Sequence, residues 1–136
     1  MAEDLTPYDE RILSGPVGAF GKYLVERSYD EGMRSAEWTL AGRWRGESRR
    51  QLTERLGRLD DDEREAVTEL VQSALIDSLH GLLHGLAHDG DRIRLLWEGH
   101  DVSSESDGLH GDLFLFLRLL SAYPYVPRID PDLGSQ

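Results

Sequence analysis

The chain has 136 residues, no cysteine and a formal net charge of −11. This length is typical of one domain with its own hydrophobic core, so we expect residues 1–136 to form a single domain. The missing cysteines exclude disulfides, thiolate metal ligands and a cysteine nucleophile. The negative charge argues against binding to nucleic acid or to an anionic membrane. It permits a basic protein partner, a cationic ligand or a metal ion, and the alternative is that the charge serves only solubility.

The sequence carries no sign of secretion or membrane insertion. Its first ten residues, MAEDLTPYDE, lack the basic and apolar segments of a signal peptide. The apolar runs are far shorter than the roughly 20 residues that a membrane-spanning helix needs. We therefore expect a cytoplasmic protein.

The N-terminal third predicts helices. Thr6 followed by Pro7 matches a helix N-cap with proline in the first turn, so we expect a short helix from about Pro7 to Leu13. After a break at SGPVG, a second helical region should run from about Val17 to Ala41, with a bend near Gly32. The predicted inner face of this region consists of Phe20, Tyr23, Leu24 and Met33.

The next stretch predicts core tryptophans and a further helix. Trp38 and Trp44 are large aromatic residues in a small chain and are expected to fill the core. Ser48 with Gln51 fits a capping box at the start of a helix. The predicted apolar stripe of that helix consists of Leu52, Leu56 and Leu59.

The strongest periodic pattern predicts one long helix from about Asp61 to His88. Apolar residues recur at the spacing of one helix face, centred on Val71, Leu75 and Leu82. Acidic residues crowd the first turn, where the helix dipole favours them. The residues projected onto the opposite, polar side include Asp77, His80, His84 and His88.

A second stripe on the same helix carries small residues. Its members are Ala74, Ser78, Gly81 and Gly85. Each glycine costs about 1 kcal/mol in a helix interior, so two on one edge indicate the close approach of another element. That neighbour is either part of the same chain or a second copy, which makes a structural homodimer one hypothesis.

The C-terminal part predicts a small antiparallel element. Alternating Ile93, Leu95 and Trp97, followed by the turn EGHD, predict a β-hairpin with DVSSES as the returning strand. Residues 112–122 are apolar on nearly every face and fit either a buried strand or a buried helix. Residues 124–136 contain three prolines and predict an extended, partly disordered tail. The expected fold is therefore α+β, predominantly α-helical, with a C-terminal β-hairpin or small antiparallel sheet.

The histidine run is the main candidate for chemistry. His80 and His84 are spaced to share one metal ion, and Asp77 can orient a ring or add a ligand. Zinc or another divalent metal is the only cofactor that the sequence indicates. The candidates for a third ligand are His100, Glu105, Asp107 and His110. The alternative is that the histidines form only a solvated polar face, because His-x-x-x-His lacks the glutamate of the zincin motif.

The segment SESDGLHGD, residues 104–112, is the second candidate. Asp107 and His110 lie there among carboxylates and hydroxyls, which can orient a histidine as a general base or contact a protein partner. The alternative is a turn whose aspartate and glycine satisfy backbone groups. Motifs for a serine nucleophile, a phosphate loop or a dinucleotide site are lacking, which favours a protein without enzymatic activity.

The order of LVQSALIDSLHGLLHGL and SDGLHGDLF, within residues 60 to 116, resembles a group of small uncharacterised bacterial α+β proteins. In that group an aspartate three residues before a histidine on a helix is followed by a hairpin and an SDGLHG(D/E)-type segment. The matching residues are Asp77, His80 and residues 106–112. The resemblance implies an α+β fold and no established activity. Members continue with a turn and a Trp-containing strand, whereas this chain continues with LFLRLLSAY.

The net charge of −11, the acidic run at residues 60–69 and the lack of a recognisable catalytic set together favour a non-enzymatic protein-interaction module. Some small acidic proteins of this kind serve as immunity proteins against toxins, so an immunity or antitoxin-like inhibitor is the sharpest form of the hypothesis. The alternatives are a metal-binding protein or metal-dependent enzyme that uses the His-x-x-x-His helix, and the structural homodimer.

Overall fold

The computed structural model describes residues 5–43 and 46–125. Within them the chain has a predominantly helical α+β fold with one small antiparallel sheet. In chain order the elements are α1 (Pro7–Ser14), α2 (Pro16–Leu24), a π-helical segment (Val25–Tyr29), α3 (Asp30–Leu40), α4 (Glu47–Leu56), α5 (Asp61–His88), β1 (Leu96–Trp97), β2 (His100–Asp101), α6 (Val102–Glu105) and α7 (Leu109–Leu119). No helix in these ranges has an apolar stretch long enough to cross a membrane.

Helix α1 begins where the sequence predicts. The hydroxyl of Thr6 accepts a hydrogen bond from the backbone N–H of Asp9 at 3.0 Å, and the carboxylate of Asp9 accepts one from the N–H of Thr6 at 3.2 Å. This reciprocal pair satisfies two N–H groups that the first helical turn leaves unbonded. Gly15 separates α1 from α2, and a Cβ at Gly18 would lie 2.5 Å from the carbonyl oxygen of Ile12. The close packing of α1 against α2 therefore depends on the absence of a side chain at Gly18.

The predicted bend at Gly32 is wrong. The irregularity lies earlier, at the π-helical segment, whose wider turn places both Val25 and Tyr29 in the core at 0% exposure. Gly32 lies within α3, where a Cβ would come 2.7 Å from a methyl group of Leu75 on α5. This glycine serves close packing between α3 and α5.

The predicted aromatic core of this region is only partly correct. Phe20 and Met33 are buried, but Tyr23 is 52% exposed and its ring lies 5.3 Å from that of Trp97 on the hairpin. Trp38 was expected in the core and is 40% exposed, because it lies on the side of α3 away from the buried Met33. Trp44 lies outside the described residues.

Helix α4 contributes little to the core. The predicted capping box is wrong, because the N-cap is Gly46 and no side chain caps the helix. The predicted leucine stripe faces the rest of the fold but is only partly covered. Leu52 and Leu56 line one groove against α3 and α5, yet Leu52 is 46% exposed and no residue of α4 is buried. Arg49 joins α4 to α3 by donating a hydrogen bond to the hydroxyl of Ser35 at 2.7 Å.

Helix α5 has the predicted bounds but a rotated core face. Its buried residues are Ile76, Leu79 and Leu83, whereas Leu82 is 57% exposed and Leu70 is 69% exposed. Helix α7 packs along the face that carries Leu83, and this contact decides which apolar residues are covered. When apolar residues lie on more than one side of a helix, periodicity alone cannot tell which of them are buried.

The predicted small-residue stripe of α5 has no neighbour within the described part of the chain. A Cβ at Gly81 would meet nothing within 4 Å, and one at Gly85 would meet only the Asp89 carboxylate at 4.0 Å. Ala74 and Ser78 are exposed. None of the described residues is therefore the close neighbour that these small residues were predicted to need.

Residues 112–122, which fitted either a strand or a helix, lie mostly in helix α7. Leu113, Phe116 and Leu117 of α7 are 0% exposed and form the centre of the core. A Cβ at Gly21 on α2 would lie 2.6 Å from the Phe116 ring, so α2 packs against α7 at closest approach there.

The predicted hairpin forms but is short. Leu96 pairs with Asp101 and Trp97 pairs with His100, across a turn in which Glu98 and Gly99 have φ values of 49° and 85°. These left-handed conformations are typical of a tight hairpin turn. The prediction that DVSSES returns as a strand is wrong beyond Asp101, because Val102–Glu105 forms α6, capped by the Asp101 carboxylate.

The segment after α7 folds back onto the start of α3 and the end of the π-helical segment, where the Tyr29 hydroxyl donates to the Tyr123 carbonyl at 3.1 Å. Asp30 is only 4% exposed and accepts hydrogen bonds from the Ser121 hydroxyl at 2.6 Å and the Ala122 N–H at 3.1 Å. The N–H of Tyr125 donates to the carbonyl of Leu117 at 3.2 Å. The rest of the predicted tail, residues 126–136, lies outside the described residues.

Candidate metal centre

Three histidines converge where α5 ends and α7 begins. His84 and His88 lie on the last turns of α5, and His110 lies on the first turn of α7. Each offers one ring nitrogen to a common point, and these nitrogens all lie within 4.8 Å of one another. The ring centroids are 4.2 Å apart for His84 and His88 and 4.9 Å apart for His84 and His110. We call this group the histidine triad.

Local sequence and helix packing bring the triad together. His84 and His88 share one side of α5 because four residues complete about one helical turn. The packing of α7 on α5 then places His110 beside them. Gly108, with φ of 157°, precedes α7, and a Cβ there would lie 3.3 Å from the His110 ring. A side chain at position 108 would therefore crowd the ring that completes the triad.

The residues first predicted as ligands are only partly in this group. His84 belongs to it, whereas His80 lies one turn earlier, with its ring centroid 5.4 Å from that of His110 and 6.4 Å from that of His84. Asp77 is exposed and does not belong to the triad. His80 is thus a neighbour of the triad, and His88 takes the place that was predicted for it.

The remaining third-ligand candidates lie elsewhere. His100 and Glu105 contact each other, with Nδ1 and Oε1 3.2 Å apart, on the hairpin and α6. Asp107 is exposed, and its backbone N–H donates to the Tyr8 hydroxyl at 3.0 Å. Of the four candidates, His110 is the one that joins the α5 histidines.

The surroundings of His110 favour its neutral form. Burial lowers the pKa of His110 below the ordinary 6.5, and positive charge on His84, His80 and His88 lowers it further, while Asp112 opposes the shift. Its Nδ1 is buried and has no hydrogen-bond partner among the described residues. A neutral imidazole is the form that binds a metal ion, so His110 needs little or no deprotonation to act as a ligand.

The SDGLHGD segment, by contrast, contains a structural clamp. Asp112 is 6% exposed and accepts hydrogen bonds from the Ser106 hydroxyl at 2.5 Å and the Tyr8 hydroxyl at 3.0 Å. The Ser106 hydroxyl in turn accepts the N–H of Gly108 at 3.0 Å. Burial is the main reason that the pKa of Tyr8 is raised. These contacts fasten α1 to the start of α7 and support the interpretation of this segment as a turn.

A tetrahedral ion would require the triad nitrogens to move closer together. Zinc binds imidazole nitrogen at about 2.0–2.1 Å, which puts ligand nitrogens about 3.4 Å apart in a tetrahedral site. The triad nitrogens lie within 4.8 Å of one another, so binding of one ion by all three would need a shift of the side chains. Because His84 and His88 are exposed, the fourth position would face solvent.

Comparison with known proteins yields no relative for this chain. No family model, no curated protein and no solved structure matches it. The site must therefore be judged on its own geometry. Sequence reasoning selected His80 over His88, although both continue the same four-residue spacing, and the position of α7 is what distinguishes them.

Proposed function

We propose that this protein binds a divalent transition-metal ion, with zinc as the leading candidate, through His84, His88 and His110. The observation that carries the proposal is the convergence of three histidine nitrogens from two helices within 4.8 Å. An all-imidazole site suits zinc, copper or nickel and does not suit magnesium or calcium, which prefer oxygen. The bound ion would join the end of α5 to the start of α7.

The test is a titration of untagged protein with zinc chloride and, separately, magnesium chloride. Calorimetry should give one zinc ion per chain and no magnesium binding, and zinc at 100 times its Kd should add about 2.7 kcal/mol of stability. His88→Ala and His110→Ala should each weaken zinc binding at least about tenfold, a lower bound set by the loss of a direct ligand. His100→Ala is the matched control, because His100 is bonded to Glu105 away from the triad.

Two further variants decide which α5 histidines bind. If the ion uses the pair first predicted from sequence, His80→Ala and Asp77→Asn should cost as much affinity as His110→Ala. If it uses the triad, both should have small effects. Absence of zinc binding by the wild type, or equal losses in His100→Ala and His110→Ala, would overturn the proposal.

A second candidate function is protein interaction through the outer face of α5. We define this face by Leu70, Ala74, Ser78, Gly81 and Leu82. It is favoured by the exposure of Leu70 and Leu82, 69% and 57%, beside a glycine with nothing within 4 Å. The occupant that fits it is a second copy of the chain. In an antiparallel pair of α5 helices centred on Ala74, the bulky Leu70 of each copy lies opposite the small Ser78 of the other.

Sedimentation of two exposed-leucine variants tests this homodimer. Leu82→Ala should shift the wild-type dimer towards monomer, whereas Leu96→Ala, which alters a hairpin leucine that is 60% exposed, should not. A wild-type protein that remains monomeric at all concentrations would refute the homodimer.

The acidic first turn of α5 supports a broader form of this function, in which the partner is a basic protein. Residues 60–63 are all acidic and lie on the N-terminal side of the outer face, which begins at Leu70. An immunity or antitoxin-like inhibitor of a basic toxin is the sharpest version. It predicts that the product of an adjacent toxin gene binds the chain with an affinity that falls as salt rises. Inhibition that is insensitive to salt would contradict this electrostatic account.

A further inference from the structure

A cleft of about 460 Å³ lies between the junction of α1 with α2 and the segment that runs from β2 through α6. It is separate from the histidine triad. Its apolar lining includes Ile12, Pro16 and Val17, of which Ile12 and Val17 belong to the buried core. Its volume falls in the lower part of the range of small-molecule sites. Because Ile12 and Val17 are only 3% and 2% exposed, the half-buried Pro16 is the apolar side chain that a small ligand can reach.

Charges of opposite sign line the same cleft. Arg11 belongs to α1. Across the cleft, Glu105 is the last residue of α6 and Asp107 lies just after that helix. Within the described ranges, Arg11 forms no salt bridge with either carboxylate, and its guanidinium lies 5.1 Å from the centroid of the Tyr8 ring. The ring contact holds the cation at the edge of the cleft. A positive and a negative group are thus both available to one ligand.

A histidine adds a directional polar group. The Nδ1 of His100 lies 3.2 Å from the Glu105 carboxylate. That contact occupies Nδ1 with the carboxylate and leaves Nε2 as the ring nitrogen that faces other groups. An ammonium group is a donor that suits the carboxylate of Asp107.

We propose that this cleft binds a small zwitterion of the α-amino-acid class with an apolar side chain. Arg11 binds the ligand carboxylate, and Asp107 binds its ammonium group. Pro16, which is half-buried and lines the cleft, contacts the side chain. The proposal does not rest on the metal centre. A free amino acid and a short peptide both carry one ammonium and one carboxylate group. The distance between these two groups is longer in the peptide.

The experiment measures binding of four probes by protein NMR and calorimetry, in EDTA so that amino acids cannot coordinate metal at the triad. The probes are L-leucine, leucyl-leucine, N-acetyl-L-leucine and L-leucinamide. Leucine should bind, with shifts at residues of the cleft. The acetylated and amidated analogues, which each lack one charge, should bind at least about tenfold more weakly, because a charge-assisted contact is lost. Tighter binding of leucyl-leucine would assign the site to peptides.

Charge-neutralising variants complete the test. Arg11→Gln should weaken leucine binding about tenfold and leave leucinamide binding unchanged, since leucinamide has no carboxylate. Asp107→Asn should also weaken leucine binding about tenfold, but it should leave the binding of N-acetyl-L-leucine unchanged, since that probe has no ammonium group. Arg27→Gln is the matched control, because Arg27 also lies over a tyrosine ring, 6.0 Å from that of Tyr23, but outside the cleft. No binding of any probe at millimolar concentration, or equal binding of all four, would overturn the proposal. Equal effects of Arg11→Gln and Arg27→Gln would overturn it as well.

Discussion

Two helical glycines allow the same substitution to be made in opposite surroundings. At Gly21 a Cβ would lie 2.6 Å from two atoms of the Phe116 ring, and that ring is 0% exposed and cannot move away into solvent. At Gly81 a Cβ would meet nothing within 4 Å. Gly21→Ala and Gly81→Ala therefore differ in packing while sharing the same change in backbone freedom.

The expected free energies of unfolding follow from these distances. Alanine favours a helix interior by about 1 kcal/mol over glycine at both positions. At Gly21 this gain is opposed by overpacking, which costs about 1–3 kcal/mol in a close-packed core. Gly81→Ala should thus stabilise the protein by about 1 kcal/mol. Gly21→Ala should lie about 1–3 kcal/mol below Gly81→Ala, a gap that isolates the cost of displacing the Phe116 ring.

Urea unfolding followed by circular dichroism, at a concentration where the chain is monomeric, measures both values. A Gly21→Ala protein as stable as Gly81→Ala would refute the close approach of α2 and α7. A Gly81→Ala protein less stable than wild type would show that another group covers the outer face of α5.

The other predictions concern buried carboxylates and the histidines. Asp112→Ala should destabilise the fold by about 2–4 kcal/mol, because two hydroxyls lose their buried acceptor; the exposed Asp77→Ala should change stability by less than about 0.5 kcal/mol in the same urea assay. Asp30→Ala should cost about 1–3 kcal/mol, since a hydroxyl and an N–H after α7 lose their acceptor, and thermal melting would detect it. Because the folded pKa of His110 lies below 6.5, the folded state favours the neutral ring. That contribution is complete above pH 6.5 and is lost as pH falls from 6.5 towards the folded pKa; unfolding measured from pH 5 to 8 in EDTA should show the decline, and His110→Gln should reduce it.

Helix ends were predictable where local chemistry sets them. Thr6 with Pro7 marked the start of α1, and the acidic run before α5 contains the capping pair Asp60 and Glu63 that the structure shows. The signal at Ser48 failed although its residues fit the capping pattern, because α4 begins at Glu47 behind Gly46. A capping motif therefore marks the start of a helix only if the helix begins directly after the capping residue.

The buried faces were less predictable, because contacts between distant segments decide them. Helix α5 has apolar residues on several sides, and the position of α7 selects Leu83 for the core and leaves Leu82 in solvent. The buried Asp30 and Asp112 also escaped prediction. A signal was present for Asp112, which lies directly before the apolar LFLFL, where a charged residue needs a partner.

The candidate metal site could be predicted only in part from the sequence. The four-residue spacing of the α5 histidines pointed to one side of a helix, and His110 was among the candidates for a further ligand. Periodicity could not tell that the histidines converge at the end of the helix, near His88, because this depends on where α7 begins.

The absence of buried residues in α4 affects how the chain opens. Unfolding residues 47–56 exposes little apolar surface, so it should cost much less than global unfolding, and the amides of α4 should exchange with solvent through this local opening. The helices that hold Phe116 and Leu83 should exchange only when the whole core opens. An insertion or a fused tag in α4 should therefore disturb the rest of the fold less than one placed in any other helix of the described chain.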